Sequence, residues 1–134
     1  MTGILVTGHG SFAAGLLDAA RLFFGELPQT AALMLNTADS TEEFRTEMAH
    51  QLAALDTGDG VLILADLFGG TPCNCAMALQ SERVQVLAGA NLPMLMEALG
   101  SRDTPPVDAA AIAQAGKESI LFTALLNDHE NEEF

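Results

Sequence analysis

Basic residues are scarce in this chain: five Lys and Arg stand against 18 Asp and Glu, for a net charge of −13. A nucleic-acid-binding surface neutralises phosphates with Lys and Arg, so this balance excludes that class. It leaves room for a basic protein partner, whose approach the negative field would speed, and it otherwise serves solubility. Cysteine is nearly absent too. Cys73 and Cys75 are too few and too close for a disulfide framework, which fits a reducing compartment. They have no second Cys/His cluster with which to share a metal, and they read as small core residues on a helix. No apolar run is long enough to span a membrane, and the N-terminus lacks the basic start and continuous apolar stretch of a signal peptide. The chain therefore reads as cytoplasmic. A G-x-S-x-G elbow is missing, which leaves a serine hydrolase without support. Internal repeats, low-complexity blocks and linkers are missing as well.

What is present is a core and a regular alternation. The 134 residues are 49% hydrophobic, enough for one folded domain. That domain is expected over residues 1–126, followed by an acidic tail at 127–134. Gly3 to Thr7 (GILVT) reads as a buried strand, and Phe12 to Gly25 shows helical spacing with Leu16, Ala20, Phe23 and Phe24 on one side. Ala31 to Leu35 is a second strand. Ser40 opens a helix as a capping box with Glu43, and Phe44, Met48, Leu52 and Leu55 give it an apolar face. Thr57-Gly58-Asp59-Gly60 closes that helix, and Val61 to Ala65 (VLILA) reads as a strand buried on both faces. Thr71 as N-cap with Pro72 at the first helical position starts a short helix through Asn74 to Ser81. Val84 to Ala88 is a fourth strand, Met94 to Leu99 a helix opened by Asn91-Leu92-Pro93, and Asp108 to Gly116 a further helix after the Pro105-Pro106 break. Ser119 to Leu126 fits helix and strand equally. The fold class is α/β: a single open, mainly parallel sheet of about four strands with helices on both faces.

In such a sheet the turns after the strands share one edge, where open α/β sheets place their ligands. They would gather His9, the Asn36-Thr37 segment, Asp66 with Gly69-Gly70-Thr71, and Asn91. This set suits phosphoryl transfer. An imidazole attacks phosphorus only when one ring nitrogen is unprotonated, so a partner must hold the proton on the other, and a carboxylate does that while stabilising the cation formed. Asp66 is the candidate. Backbone N–H groups at the Gly70-Thr71 helix start, the Thr71 hydroxyl and the open Gly10 turn would receive the phosphoryl group without adding positive charge. No metal ligand set and no cofactor are expected. Each piece has a structural reading as well: Asp66 as a turn cap, Gly-Gly-Thr-Pro as an ordinary strand-to-helix connection, His9 as a satisfied loop histidine. Their coincidence at the ends of neighbouring strands is what favours chemistry. His50, within a helix, and His129, in the tail, are read as bystanders. Gly8-His9-Gly10-Ser11-Phe12-Ala13 also matches G-x-G-x-x-G/A formally. The acidic residue a dinucleotide site wants at the end of the second strand is replaced by Leu35-Asn36-Thr37, and the His side chain would crowd a pyrophosphate.

Gly8-His9-Gly10, Asp66-Leu67-Phe68-Gly69-Gly70-Thr71-Pro72 and Ala88-Gly89-Ala90-Asn91-Leu92-Pro93-Met94-Leu95 together resemble the mannose-family IIA component of the bacterial phosphoenolpyruvate-dependent sugar phosphotransferase system. The similarity runs from residue 1 to about Gly116. It implies a phosphohistidine carrier that takes a phosphoryl group from HPr and passes it to a IIB component, which serves a IIC/IID membrane permease. Residue by residue it implies phosphorylation at His9, orientation by Asp66, phosphoryl binding by Gly70, Thr71 and Gly10, and partner contacts by Phe68, Phe12 and Asn91. It further implies a cytoplasmic homodimer that exchanges a fifth, antiparallel C-terminal strand, although this chain departs most from the pattern there. Because the sequence stops after the IIA portion, IIB is expected to be a separate protein. The transported sugar is not encoded, since a IIA component never touches it. A phosphocarrier for a dihydroxyacetone kinase is the rival with the same chemistry, and a nucleotide-binding module using the Gly8-x-Gly10 turn is the rival from another class.

Overall fold

A computed structural model describes residues 1–126; the expected acidic tail at 127–134 lies outside the described residues. Four strands, β1 (Gly3–His9), β2 (Thr30–Leu35), β3 (Val61–Ala65) and β4 (Val84–Ala88), form one parallel sheet in the order β2-β1-β3-β4. Five helices accompany them: α1 (Phe12–Phe24), α2 (Thr41–Leu55), α3 (Thr71–Ala78), α4 (Leu92–Ser101) and α5 (Ala109–Glu118). β1 continues two residues past the predicted Thr7 because Gly8 and His9 still pair with Met34 and Leu35 of β2.

Side chains alternate across the central strands and build two cores. Ile4, Val6, Leu62 and Leu64 pack with Ala13 and Leu17 of α1, Leu95 and Ala98 of α4 and Ile112 of α5. Leu5 and Ile63 face the other way, onto Phe44, Met48, Leu52 and Leu55 of α2 and Cys75 and Ala76 of α3. Burial on both faces is why β1 and β3 read as unbroken apolar runs. The crossover from β1 uses one face and those from β2 and β3 use the other. The chain direction therefore reverses between β1 and β3, and the crevice at their carboxyl ends is the topological switch point.

Four local expectations are corrected. The buried stripe of α1 is Ala13, Leu17 and Ala20, with Leu16 only partly buried and Phe23 and Phe24 exposed. The small alanines let the helix axis approach the sheet, which turns the bulky phenylalanines outward. Gly70, not Thr71, is the N-cap of α3: its backbone is extended and its carbonyl accepts the Asn74 N–H at 2.9 Å, so Thr71 and Pro72 are the first two helical residues. That helix accordingly starts one residue earlier than predicted and ends three earlier, at Ala78. Ser119–Leu126 adopts neither alternative, forming only a 3-10 turn at Thr123–Leu125 with Ile120, Leu121, Phe122 and Leu125 exposed. The other caps are as expected: the Ser40 hydroxyl accepts the Glu43 N–H at 3.1 Å, and Asp108 accepts that of Ala111 at 3.0 Å.

Two glycines of opposite environment test the packing. A Cβ on Gly3 would lie 2.6 Å from the Leu55 carbonyl oxygen, where β1 starts against the end of α2, whereas one on Gly15, exposed in mid-α1, would meet nothing within 4 Å. Gly3→Ala is expected to lower stability by about 1–3 kcal/mol through overpacking. Gly15→Ala is expected to raise it by about 0.5–1 kcal/mol through the lost flexibility of the unfolded chain. Urea-denaturation midpoints should move in opposite directions.

Candidate functional site

The site is an irregularity in the sheet ladder. Asp66 N–H donates to Thr7 C=O at 3.1 Å, the last regular rung between β3 and β1. A parallel ladder would next have the His9 N–H donate to the Asp66 carbonyl. Instead it donates to the Asp66 side chain, Oδ2, at 2.9 Å. The carboxylate thus stands in for its own carbonyl, freeing the main chain to turn away while β1 runs on. The same Oδ2 lies 2.7 Å from His9 Nδ1, and Oδ1 accepts the Leu67 N–H at 2.9 Å.

Space for this arrangement comes from two glycines. A Cβ on Gly8 would fall 2.9 Å from both Cβ and Cγ of Asp66, and one on Gly70 would fall 2.7 Å from His9 Cε1 and 3.3 Å from Nε2. The carboxylate therefore packs on the bare backbone of β1, and the imidazole packs on the bare start of α3. Gly10 follows with φ of 57°, turning the chain into α1 while its N–H donates to the Leu35 carbonyl at 2.8 Å.

Burial pushes the Asp66 carboxyl up, but the hydrogen bonds from the His9 amide, the His9 ring and the Leu67 amide outweigh it and hold the carboxyl below its ordinary 3.8. Asp66 is ionised at neutral pH and only accepts hydrogen bonds, so the proton of a neutral His9 ring sits on Nδ1 and Nε2 carries the lone pair. The Asp66 side chain is 9% exposed and that of His9 48%, so the anchor is covered while the nucleophile is open.

His9 opens into a cleft of about 440 Å³ lined by Gly10, Leu35, Asn36, Thr37, Asp39, Thr41 and Thr71. The structure thus brings together His9, Asp66, Gly10, Gly70, Thr71 and the Asn36-Thr37 segment. Phe12 at the start of α1, and Leu67 and Phe68 in the turn after β3, are exposed beside them. Asn91 is not in the cleft. It caps α4, accepting the Met94 N–H at 3.0 Å, and donates to the Gly116 carbonyl at 3.3 Å, so its side chain is committed to joining α4 and α5. Sequence reasoning missed Asp39 and Thr41 as cleft residues; an acidic residue just before a predicted N-cap was the available signal. His50 lies exposed on α2, its Nδ1 3.9 Å from Glu47.

Residues 3–114 match the family model described as "PTS system fructose IIA component". The chain belongs to this family. Its relatives include the mannose-specific EIIAB component of Escherichia coli K12, 36% identical over 126 residues covering 90% of this chain and 39% of that protein. The fructose-specific EIIA component of Bacillus subtilis is 30% identical over 77% of this chain and 72% of its own length. The chain thus spans under half of the first relative and most of the second. A IIA protein associated with the fucose utilization operon of Streptococcus pneumoniae superposes with a TM-score of 0.85 at 32% identity, covering 92% of this chain and 93% of that one. The chain is thus a mannose-family IIA domain in sequence and in fold. No helix among the described residues is long and apolar enough to cross a membrane.

The lowered Asp66 carboxyl gives the site a pH signature. A depressed folded-state pKa contributes stability that is fully present above the unfolded value and is lost as pH falls through the folded one. Between pH 5 and pH 2, Asp66→Asn is therefore expected to flatten the acid loss of stability, because the variant has no such carboxylate to protonate. Urea titrations across that range check it; parallel curves for the variant and wild type would remove the hydrogen-bond network as a source of stability.

Proposed function

We propose that this chain is a cytoplasmic phosphocarrier that accepts a phosphoryl group from HPr on His9 Nε2 and passes it to a IIB component serving a mannose-type IIC/IID membrane permease. The observation that carries the reading is the doubled hydrogen bond of Asp66 to the amide and the ring of His9. It aims the Nε2 lone pair into an open cleft and holds the other ring proton in place.

Transfer is a displacement at phosphorus. As the Nε2–P bond forms, the donor's bond to phosphorus breaks and its electron pair leaves with the donor. The His9 ring keeps its Nδ1 proton and becomes cationic, and the Asp66 carboxylate stabilises that charge at 2.7 Å. The phosphoryl oxygens would meet the N–H groups at the start of α3 and the Thr71 hydroxyl, where dipole stabilisation of about 0.3–2 kcal/mol per contact orients the group without trapping it. Onward transfer reverses the bond changes toward IIB. Phe12 and Phe68, exposed beside His9, would form the apolar part of the face both partners use. The dihydroxyacetone-kinase and nucleotide-binding alternatives have no observation in their favour.

The exposed apolar side chains of Ile120, Leu121, Phe122 and Leu125, together with the open edge of β4, support a homodimer in which this segment adds an antiparallel strand to a second copy. Sedimentation should give twice the 14.0 kDa chain mass, and a monomer at micromolar concentration would remove the exchange.

Incubation with phosphoenolpyruvate, enzyme I and HPr should place one acid-labile, alkali-stable phosphate on each chain, lost in His9→Ala. Labelling that persisted in this variant would overturn the assignment. Asp66→Asn should stay folded and transfer about 10- to 100-fold more slowly, the worth of a charge-assisted hydrogen bond of about 1.5–3 kcal/mol. Unchanged rates would remove Asp66 from the mechanism.

A further inference from the structure

At the pole opposite His9, a second cleft is built around a buried cation. Arg102, at the end of α4, is 5% exposed. Its main chain is committed, since its carbonyl accepts the Thr2 N–H at 3.2 Å. Its guanidinium is not: Nη1 donates to the Gln29 carbonyl at a long 3.4 Å, and among the described residues neither Nε nor Nη2 has an acceptor and no carboxylate lies within ion-pair distance. Burial disfavours its charge, an effect the nearby Asp103 partly opposes. Yet no buried side-chain nitrogen or oxygen among the described residues lacks a partner, so those two unpaired donors still reach open space. Arg102 lines a cleft of about 290 Å³ together with Phe24, Leu27, Pro28 and Leu99. In a chain with 18 acidic residues and five basic ones, a guanidinium with no carboxylate partner among the described residues and two donors free toward an apolar cleft is placed to receive an anionic group.

We infer that this cleft binds a small monocarboxylate with an apolar body, its two oxygens paired with the Nε and Nη2 hydrogens of Arg102 and its body against Phe24, Leu27 and Leu99. A guanidinium offers that pair of donors in the parallel geometry a carboxylate matches. The apolar wall sets the rest of the ligand, and the volume limits it to a small one. Glu26 and Asp103, also at the rim, select against a dianion such as phosphate. This site does not depend on His9 or on the proposed phosphoryl transfer.

The test is an NMR titration of the intact chain with benzoate as probe, observing the Arg102 Nε–H signal and the backbone amides. Benzoate is expected to shift Arg102, Phe24 and Leu27 saturably and to leave His9 unmoved. Benzyl alcohol, which keeps the ring and lacks the charge, should bind about 10- to 100-fold more weakly, and inorganic phosphate should not compete. Arg102→Lys should weaken benzoate while retaining the folded spectrum. Should that variant fail to fold, Phe24→Ala, at the exposed end of α1, carries the same expectation. Equal binding of benzoate and benzyl alcohol, no saturation, or shifts confined to the His9 end would overturn the inference.

Discussion

Oδ2 of Asp66 accepts both the main-chain N–H of His9 at 2.9 Å and the ring of the same residue at 2.7 Å. One atom thereby does two jobs that most sites divide. Taking the amide, it replaces the carbonyl rung that β3 gives up, so β3 can end at Ala65 while β1 runs on to His9. Taking the ring, it fixes which imidazole nitrogen is basic. The two are inseparable, because the strand ends that place the carboxylate are the ones it holds together. Gly8 and Gly70 follow from this single constraint: the first gives the carboxylate a bare strand to lie on, the second gives the imidazole a bare helix start. The strand order β2-β1-β3-β4 is the wider condition, since only adjacent β1 and β3 with diverging crossovers leave that crevice open.

The sheet was legible in the sequence because its strands are apolar on both faces, and a run such as VLILA admits little else at that length. The partnership of His9 and Asp66 was legible for a related reason: His9 stands two residues and Asp66 one residue beyond an apolar run that reads as a buried strand. What sequence reasoning missed was orientation. The phenylalanines of α1 look like its buried face by hydrophobicity, yet the alanines are buried, since close helix–sheet packing depends on the size of neighbours far away in sequence. Thr71 looks like an N-cap by residue type, but the cap is Gly70, at a position where only a residue without a side chain fits against the His9 ring. Asn91 does follow the carboxyl end of β4, but it does not join the cleft, since its amide serves α4 and α5.

The distribution of charge around His9 separates a carrier from a trap. A Lys or Arg within 4 Å of a phosphoryl oxygen would be worth about 4 kcal/mol at an effective dielectric constant of about 20, or roughly a thousandfold in how long the group is held. No Lys or Arg lines the cleft, where Asp39 supplies a carboxylate instead. Neutral donors at a helix start fall well below that strength. They are also fixed by the backbone, so they orient the group at no cost in side-chain ordering. Of the five basic residues, Arg83 is spent on Asp56 and Arg102 is buried at the far pole. The scarcity of positive charge that first excluded a nucleic-acid partner is thus a property of the site as much as of the surface. Under the proposed function the site accepts and releases the same anion, which is reason to keep cations elsewhere.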